Sequence, residues 1–363
     1  SSAGRFVSSF ESTLASYVGA ARGVATISGT AAIHVALLTA GVEPDDEVLV
    51  STLTFIAPVN AIRYCGAWPV FIDAEPVHFQ MDVDKLDAFI EHQCVQEGER
   101  LVNRKSGRRV RAILPVHILG HPVDMGPVIT IAKRHGLAVV EDATESLGAT
   151  YEGRPVGMLG DVGCFSFNGN KLLTTGGGGM IVTDDVRMAD RAHYLTTQAK
   201  DDGLEYVHRE IGYNYRLSNI QAALGCAQME QIEPYLNAKK RIAERYSEAL
   251  AGIHGVVTMT EAPWARNAWW MYTIQVVREK TGIDSRSIQK SLLAQGIETR
   301  SLWLPAHQNE PYRNCEALSC EVSEQLYEQA LCLPCSVGLS EQDQERTISC
   351  LRTALEWDEA QAN

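Results

Sequence analysis

Lys171 lies in the segment of this chain whose composition best suits covalent chemistry. It follows the run Phe165-Ser166-Phe167 and precedes Thr174-Thr175 and four consecutive glycines at 176–179. Small and polar neighbours of this kind are unusual for a solvated surface lysine. A lysine that is held out of water becomes a nucleophile toward carbonyl groups. The segment therefore predicts a lysine that forms a Schiff base.

Three further segments carry groups that could act at the same site. A helix that opens at Ser28-Gly29-Thr30 could bind a phosphate through its first N–H groups, although these residues also suit an ordinary helix cap. Phe55 follows a predicted strand, where its ring could cover a flat ligand or pack in the core. Asp142 ends an apolar strand, so it either needs a cation or a donor or caps the next helix.

Taken together, the four segments meet the needs of one cofactor. A phosphate seat, a stacking aromatic ring, a carboxylate for a pyridinium nitrogen and a Schiff-base lysine are what pyridoxal 5'-phosphate requires. The carboxylate keeps the ring nitrogen protonated, so the ring can accept the electrons of a carbanion. Each segment alone is a weak signal, whereas their order along the chain is informative. The sequence thus predicts a pyridoxal phosphate site.

The elements that must position these residues alternate along the first part of the chain. Strands are predicted at 22–27, 47–51, 68–73, 111–116 and 137–142, and helices at 31–40, 58–65 and 125–135. Strands that alternate with helices are typical of an α/β fold with a mostly parallel sheet. Such sheets bind ligands at the carboxyl ends of their strands, which is where the candidate residues lie.

The pattern changes after residue 160. Strands are predicted at 162–167 and 180–183, on either side of the glycine-rich bend, and 218–251 is a long helical pattern in which Pro234 marks a kink or a helix restart. Beyond 252 short strands and helices follow one another. We expect a large domain over 1–233, a linking helix over 234–251 and a small α+β domain over 252–363.

Composition excludes several classes of protein. The chain has 363 residues, of which 45% are hydrophobic and 21% charged, so it is not a disordered regulator, a fibrous repeat or a disulfide-stapled miniprotein. A formal net charge of −13 disfavours nucleic acid and anionic membranes as partners. The motifs G-x-x-x-x-G-K-[ST], G-x-G-x-x-G, H-E-x-x-H and G-x-S-x-G are absent, which weakens nucleotide hydrolase, dinucleotide oxidoreductase, zinc protease and α/β-hydrolase interpretations.

Cysteine usage indicates the compartment. The nine cysteines are odd in number and irregularly spaced, which is typical of a reducing compartment and predicts a cytoplasmic protein. The pair Cys332-Leu-Pro-Cys335 has CxxC spacing, but no second pair or histidine pair completes a zinc site. We therefore predict no metal.

Long segments of the chain resemble the sugar aminotransferases of the DegT/DnrJ/EryC1/StrS group, which have the aspartate-aminotransferase-like fold (fold type I). The resemblance runs nearly end to end. The segments that carry it are SGTAAIHVAL (28–37), STLTFIAPVNAIRYCGAWPVFID (51–73), PVHILGHPVDM (115–125), VVEDATESLGA (139–149), CFSFNGNKLLTTGGGGMIVT (164–183), GYNYRLSNIQAALGCAQ (212–228) and IETRSLWLPAHQNEPY (297–312).

This resemblance implies a role for each candidate residue. Lys171 forms the Schiff base, Asp142 pairs with the pyridine nitrogen and Phe55 stacks on the ring. Asn214 reaches the phosphate of the neighbouring subunit's cofactor, so the active unit is a homodimer whose sites are shared across the interface. The implied cofactor-binding residues are Gly29, Thr30, Phe55, Asp142, Glu145, Ser166, Lys171 and Asn214.

The chain departs from the family pattern at two places. The third position after the aspartate is often Gln in the family, whereas this chain has Glu145, which could still accept hydrogen bonds. The chain also starts some way inside the family's usual N-terminus, so part of the substrate wall is expected in a preceding segment. In the segment 297–312, Arg300, Trp303 and His307 could contact the substrate, unless Trp303 is core and Arg300 a surface ion pair.

The resemblance implies transamination in two half-reactions. Glutamate gives its amino group to the cofactor, which becomes pyridoxamine phosphate, and a nucleotide-linked keto-sugar then accepts it. The GNK…TTGGGGM version looks like enzymes that aminate C4 of a 4-keto-6-deoxy hexose, and the LegC/PglE-type and perosamine-synthase-type branches share it. We favour the LegC/PglE-type branch, which implies a UDP-linked 2-acetamido-4-keto-6-deoxy hexose for bacterial surface glycans. One alternative is a pyridoxal phosphate-dependent sugar dehydratase, against which Lys171 argues because such enzymes carry histidine there. The other is a non-enzymatic regulator on the same fold.

Overall fold

The computed structural model of the chain describes residues 4–202 and 204–356, so the outer ends of the two expected domains, 1–3 and 357–363, lie outside the described residues. Over this part of the chain the helices are α1 Arg5–Val18, α2 Gly29–Thr39, α3 Ala57–Tyr64, α4 Val83–Gln93, α5 Met125–His135, α6 Val186–Thr196, α7 Asn219–Met229, α8 Ile232–Leu250, α9 Arg278–Thr281, α10 Ser285–Ala294, α11 Glu321–Gln329 and α12 Glu341–Glu356.

The strands fall into three sheets. Most are short and end close to where the hydrophobic pattern predicts. They are β1 Arg22–Thr26, β2 Glu47–Ser51, β3 Trp68–Ile72, β4 Cys94–Glu97, β5 Arg100–Asn103, β6 Arg109–Leu114, β7 Ala138–Asp142, β8 Thr150–Tyr151, β9 Arg154–Pro155, β10 Val162–Ser166, β11 Gly179–Thr183, β12 Val256–Thr258, β13 Ala265–Arg266, β14 Tyr272–Val276, β15 Arg300–Ser301 and β16 Ala330–Leu333.

The main sheet has the strand order β1-β11-β10-β7-β6-β2-β3. The neighbours from β10 to β3 pair in parallel. Strand β11 runs antiparallel to both β10 and β1, so β1 points in the same direction as β10. The hairpin β4–β5 joins β6 in antiparallel fashion. The α/β class is therefore confirmed, and β11 is the reversed strand of the main order.

Burial explains why these strands form. All five residues of β2, β7 and β11 are buried, as expected for strands of a sheet that is covered on both faces. Helix α2 is buried nearly all round, which is typical of a helix in the protein interior rather than on its surface. This helix begins at the cap Ser28, whose Oγ accepts a hydrogen bond from Ala31 N at 3.1 Å.

A second, four-stranded antiparallel sheet forms the C-terminal part of the chain, in the order β12-β14-β16-β15. Its apolar face packs on α8, α10 and α12 through buried residues such as Tyr246, Ile288 and Leu351. The long helical pattern of 218–251 is two helices, and Pro234 lies in the first turn of α8, where its missing N–H costs nothing. In the described ranges, no helix is both long and apolar enough to cross a bilayer.

Candidate active site

Most of the predicted site residues lie together at one edge of the main sheet. Strands β1, β2, β7 and β10 share a direction, so their carboxyl ends face the same way. The start of α2, Phe55, Asp142 and Lys171 each follow or end one of these strands. A cavity of about 410 Å³ lies at this edge. Of the predicted residues, those that line it are Gly29, Thr30, Phe55, Glu145, Ser166, Lys171, Arg300 and Trp303.

The start of α2 is pressed against the end of β10. A Cβ placed on Gly29 would lie 2.8 Å from the Cβ of Ser166 and 3.1 Å from Cγ2 of Thr144, so only glycine permits this approach. The first N–H groups of a helix have no acceptor within the helix. Together with the hydroxyls of Thr30 and Ser166, which line the cavity, they form a cradle that suits an anion.

A tight turn holds Lys171 in the wall of the same cavity. Its N–H donates to Asn168 O at 3.0 Å, and the indole Nε1 of Trp270 donates to Asn170 O at 2.8 Å. The amine lies 3.9 Å from the centre of the Trp270 ring, a cation–π contact. It also lies 3.5 Å from Oε1 of Glu145, and its side chain is 13% exposed. The lysine is thus shielded, with one carboxylate beside it.

Glu145 is a buried carboxylate that faces this amine. Its Oε2 accepts a hydrogen bond from Leu119 N at 2.9 Å. Burial raises the pKa of Glu145 to about 7, although Lys171 and the Leu119 N–H pull it down. A carboxyl with such a pKa can hold or release a proton next to Lys171 near neutral pH.

Asp142 lies beneath the cavity and does not line its surface. Its Oδ1 accepts a hydrogen bond from Thr144 N at 3.0 Å. Burial raises the pKa of Asp142, and the donors of Thr144 and the charge of Lys171 counter that effect only in part. A buried carboxylate of this kind is stabilised by a protonated ring nitrogen placed against it.

Glu141, the residue before Asp142, is satisfied in a different way. Its oxygens accept hydrogen bonds from the backbone N–H groups of Gly157, Leu159 and Gly160. His117 Nε2 lies 3.0 Å from Glu141 Oε2, and Val123 N donates to the other ring nitrogen, which makes Nε2 the protonated one. This network fixes the end of β7.

Besides Asp142, two predicted residues, His307 and Asn214, are absent from the cavity wall. The ring of His307 is taken up by Thr52 Oγ1 at 2.7 Å and Glu324 Oε1 at 3.0 Å. Asn214 is exposed, in the segment where it bridges to Thr197, and does not line the cavity of its own chain. Phe55 is 52% exposed at the cavity rim.

The residues present fit pyridoxal phosphate. Gly29, Thr30 and Ser166 line the cavity, and a Cβ at Gly29 would collide with Ser166, so the helix start can lie this close to Ser166 only with glycine at that position. Asp142 is a buried carboxyl with too few donors, which a pyridinium N–H would complete. Lys171 lines the same cavity as the cradle, and its amine lies against the Trp270 ring and beside Glu145.

Several cavity residues were not predicted from the sequence. Trp270 and Met271 precede β14, and Cys332 lies in β16, so all three come from the C-terminal sheet. No local motif marks them, and only the tertiary contact between the sheets brings them to Lys171. The double tryptophan 269–270 at the start of a predicted strand was the one available signal.

The chain is similar to known proteins along nearly its whole length. A model of the DegT/DnrJ/EryC1/StrS aminotransferase family matches residues 1–352. The chain is 40% identical over 356 residues to the GDP-perosamine synthase of Caulobacter vibrioides, which covers 98% of this chain and 91% of that synthase. It is 34% identical to the UDP-N-acetyl-3-dehydro-alpha-D-glucosamine 3-aminotransferase of Acidithiobacillus ferrooxidans, over 95% of this chain and 87% of that enzyme. A crystal structure of a DegT DnrJ EryC1 StrS aminotransferase from Brucella abortus matches with a TM-score of 0.88 at 31% identity, over 97% of this chain and 91% of that one.

Proposed function

Because the chain belongs to the DegT/DnrJ/EryC1/StrS aminotransferase family, we propose that it transfers an amino group from glutamate to C4 of a nucleotide-linked 4-keto-6-deoxy sugar. It is a pyridoxal phosphate-dependent sugar aminotransferase with a nucleotide-linked substrate. The observation that carries the proposal is the meeting of the α2 start, Glu145 and Lys171 around one cavity, with Asp142 directly beneath.

The residues at the cavity would bind different parts of the cofactor, according to where each of them lies. Pyridoxal phosphate supplies a reactive aldehyde and a ring that accepts electrons. Gly29, Thr30 and Ser166 would hold its phosphate, and Asp142 would hold the proton on its ring nitrogen.

Lys171 Nζ is the group placed to move a proton from the α-carbon of the amino donor. The carboxylate of Glu145, whose Oε1 lies 3.5 Å from Nζ, can stabilise the positive charge of this amine when it carries the proton. The Trp270 ring excludes water from the other side of the amine.

The acceptor we propose is a UDP-linked 2-acetamido-4-keto-6-deoxy hexose, as in the LegC/PglE-type branch, for the synthesis of surface glycan amino sugars. The segment that contains Gly169-Asn170-Lys171 and Thr174-Thr175, of which Asn170 and Lys171 line the cavity, supports a branch that acts on C4. A GDP-linked 4-keto-6-deoxy hexose is the second candidate, favoured by the 40% identity to the Caulobacter GDP-perosamine synthase. Arg300 and Trp303 line the cavity and are the proposed sugar contacts, whereas His307 would act only by positioning the 3₁₀ turn Ala306–Gln308.

A homodimer with shared sites is part of the proposal. Asn214 is exposed, so it is free to reach a partner's phosphate. Large apolar side chains near it are also exposed, namely Tyr206 (74%), Ile211 (83%) and Ile220 (82%), and a second copy of the chain would cover them. We further propose the cytoplasm as the location, since all nine cysteines are free thiols, and the division into domains 1–233 and 252–363 joined by the helix 234–251.

Product analysis tests the proposal. The purified enzyme is incubated with glutamate and either the UDP-linked or the GDP-linked 4-keto sugar, and the amino sugar and 2-oxoglutarate are measured. We expect both products in equal amounts from the UDP sugar, and Lys171→Ala should abolish them together with the visible absorption of the bound cofactor. Turnover of only GDP-linked or only 3-keto sugars would contradict the branch, and a deoxygenated sugar would indicate a dehydratase.

A further inference from the structure

A second cavity of about 560 Å³ lies behind the lysine. We call it the rear cavity; it is bounded by Lys171, Lys239, Trp270, Arg300, Cys335 and Val337 among others. It shares Lys171, Trp270 and Arg300 with the active-site cavity but none of the α2 residues of the phosphate cradle. A ligand in the rear cavity would therefore reach Lys171 without contact with the cradle.

Lys239 in the wall of this cavity is a buried cation with an unusual set of partners. It is 5% exposed, and its Nζ donates to the backbone oxygens of Trp270 at 2.7 Å and Cys335 at 2.5 Å. The remaining proton points to Cys335 Sγ at 3.4 Å. In the described part of the chain, no carboxylate forms an ion pair with this amine, whereas the half-buried Lys85 pairs with Asp73 at 2.6 Å.

An uncompensated ammonium group in the interior is energetically costly. A thiol is a weak acceptor, so the third N–H of Lys239 is poorly satisfied and an anionic oxygen would be a better partner. Lys171 and Arg300 also place cationic side chains at this cavity, and among the described residues that line it the exposed Glu298 is the one acidic side chain. Leu172, Leu333 and Val337 give part of the wall an aliphatic surface.

We propose that the rear cavity binds a carboxylate of the dicarboxylic amino donor, with Arg300 as the direct donor of hydrogen bonds and Lys239 as the buried charge that favours the anion. This inference rests on the proposed function, because it assumes an amino donor. A short aliphatic chain that ends in a carboxylate complements aliphatic side chains that lie beside Lys239 and Arg300.

Titration of the holoenzyme with glutarate tests the proposal, since glutarate is a dicarboxylate that has no amino or keto group and cannot react. Binding is followed by calorimetry in the wild type, Lys239→Met, Lys239→Arg and Arg300→Gln. The matched control is Lys240→Met, which removes the same charge from the same helix but from an exposed side chain paired with Glu244. Butyrate serves as the monocarboxylate probe.

We expect Lys239→Met and Arg300→Gln to weaken glutarate binding at least tenfold, and Lys239→Arg and Lys240→Met to change it less than threefold. If Lys239→Met does not fold, Arg300→Gln should still lose the preference for glutarate over butyrate. Unchanged glutarate affinity in Arg300→Gln would overturn the proposal, as would an equal loss in Lys240→Met. The proposal would also be overturned if UDP or GDP competed with glutarate and Lys239→Met or Arg300→Gln weakened that competition, because the cavity would then be a nucleotide site.

The two hypotheses fail separately in this design. Glutarate binding needs no keto-sugar, so the expected pattern of affinities without turnover of any nucleotide sugar would contradict only the proposed function. Sugar turnover in enzymes whose glutarate affinities are all alike would contradict only the rear-cavity site.

Discussion

Glu141 and Asp142, two neighbouring carboxylates at the end of β7, differ in the number of hydrogen bonds that they accept. Glu141 accepts hydrogen bonds from three backbone N–H groups and from His117. Asp142 and Glu145 are buried to the same degree but have fewer donors, and burial raises the pKa of both. A buried carboxylate with all its acceptors filled fixes the backbone, whereas one with acceptors left over is poised for a ligand or a proton.

Substitution of Glu141 should affect the protein differently from substitution of Asp142 or Glu145. Loss of Glu141 would leave four donors without a partner in the interior. Loss of Asp142 or Glu145 would leave fewer donors without a partner, because each of these carboxylates accepts fewer hydrogen bonds. Stability should therefore depend on the first residue, and activity and pH response on the other two.

The largest effect is expected for Glu141→Ala. Breaking a buried charged network by removing one partner costs about 3–5 kcal/mol, and we expect the free energy of unfolding to fall by that amount. Chemical denaturation measures it. Glu43→Ala is the control, since Glu43 is exposed and its pair with Arg109 spans 3.6 Å, so its loss should cost less than about 1 kcal/mol. Equal losses of unfolding free energy in Glu141→Ala and Glu43→Ala would mean that the hydrogen-bond network of Glu141 contributes no more stability than an exposed ion pair.

Asp142→Asn should have the opposite profile. The amide has the same shape but cannot hold a pyridinium proton, so we expect kcat/KM to fall by about 10²–10³-fold. Thermal unfolding of the cofactor-free protein should change little. Asp124→Asn, which alters a carboxylate bonded to the Tyr151 hydroxyl at 2.7 Å, should leave kcat/KM unchanged within twofold. Full activity of Asp142→Asn would exclude a role for this carboxylate at the ring nitrogen.

Glu145→Gln should give the smallest effect, and one that depends on pH. The folded-state pKa of about 7 lies above the ordinary value of 4.5, so the folded protein binds this proton more tightly than the unfolded one. That contribution to stability is complete below pH 4.5 and is lost as the pH rises through 7. Glutamine does not titrate, so the melting temperature of the variant relative to the wild type should rise by a few degrees between pH 5 and pH 8 in the cofactor-free protein. A difference that is constant across this range would mean that Glu145 does not titrate there.

The sequence predicted the strands that position the site because their hydrophobic runs are short and bounded by turns. It predicted that Gly29, Phe55, Asp142 and Lys171 share one edge of a sheet, since parallel strands end together. The hairpin β4–β5 was missed, because its residues Cys94–Asn103 mix polar and apolar types without a clear period.

Side-chain direction and long-range contacts limited the rest. The segment 297–312 does border the cavity, yet the His307 ring turns toward Thr52 and Glu324, and no sequence pattern specifies that rotation. Trp270 and the rear cavity depend on how the C-terminal sheet packs against the lysine turn. The satisfied state of Glu141 depends on N–H groups of residues 157–160, which no spacing rule connects with β7.

The hydrogen bond from the Trp270 indole to Asn170 O has a mechanical consequence. Trp270 leads into the C-terminal sheet, and Asn170 immediately precedes the reactive lysine. A rotation of that sheet against the main one must either break this bond or carry the turn with it. If the bond holds, such a rotation would move the Lys171 amine and reshape both cavities at the same time. The strength of this one hydrogen bond would then determine how closely the position of the amine follows the movement of the C-terminal sheet.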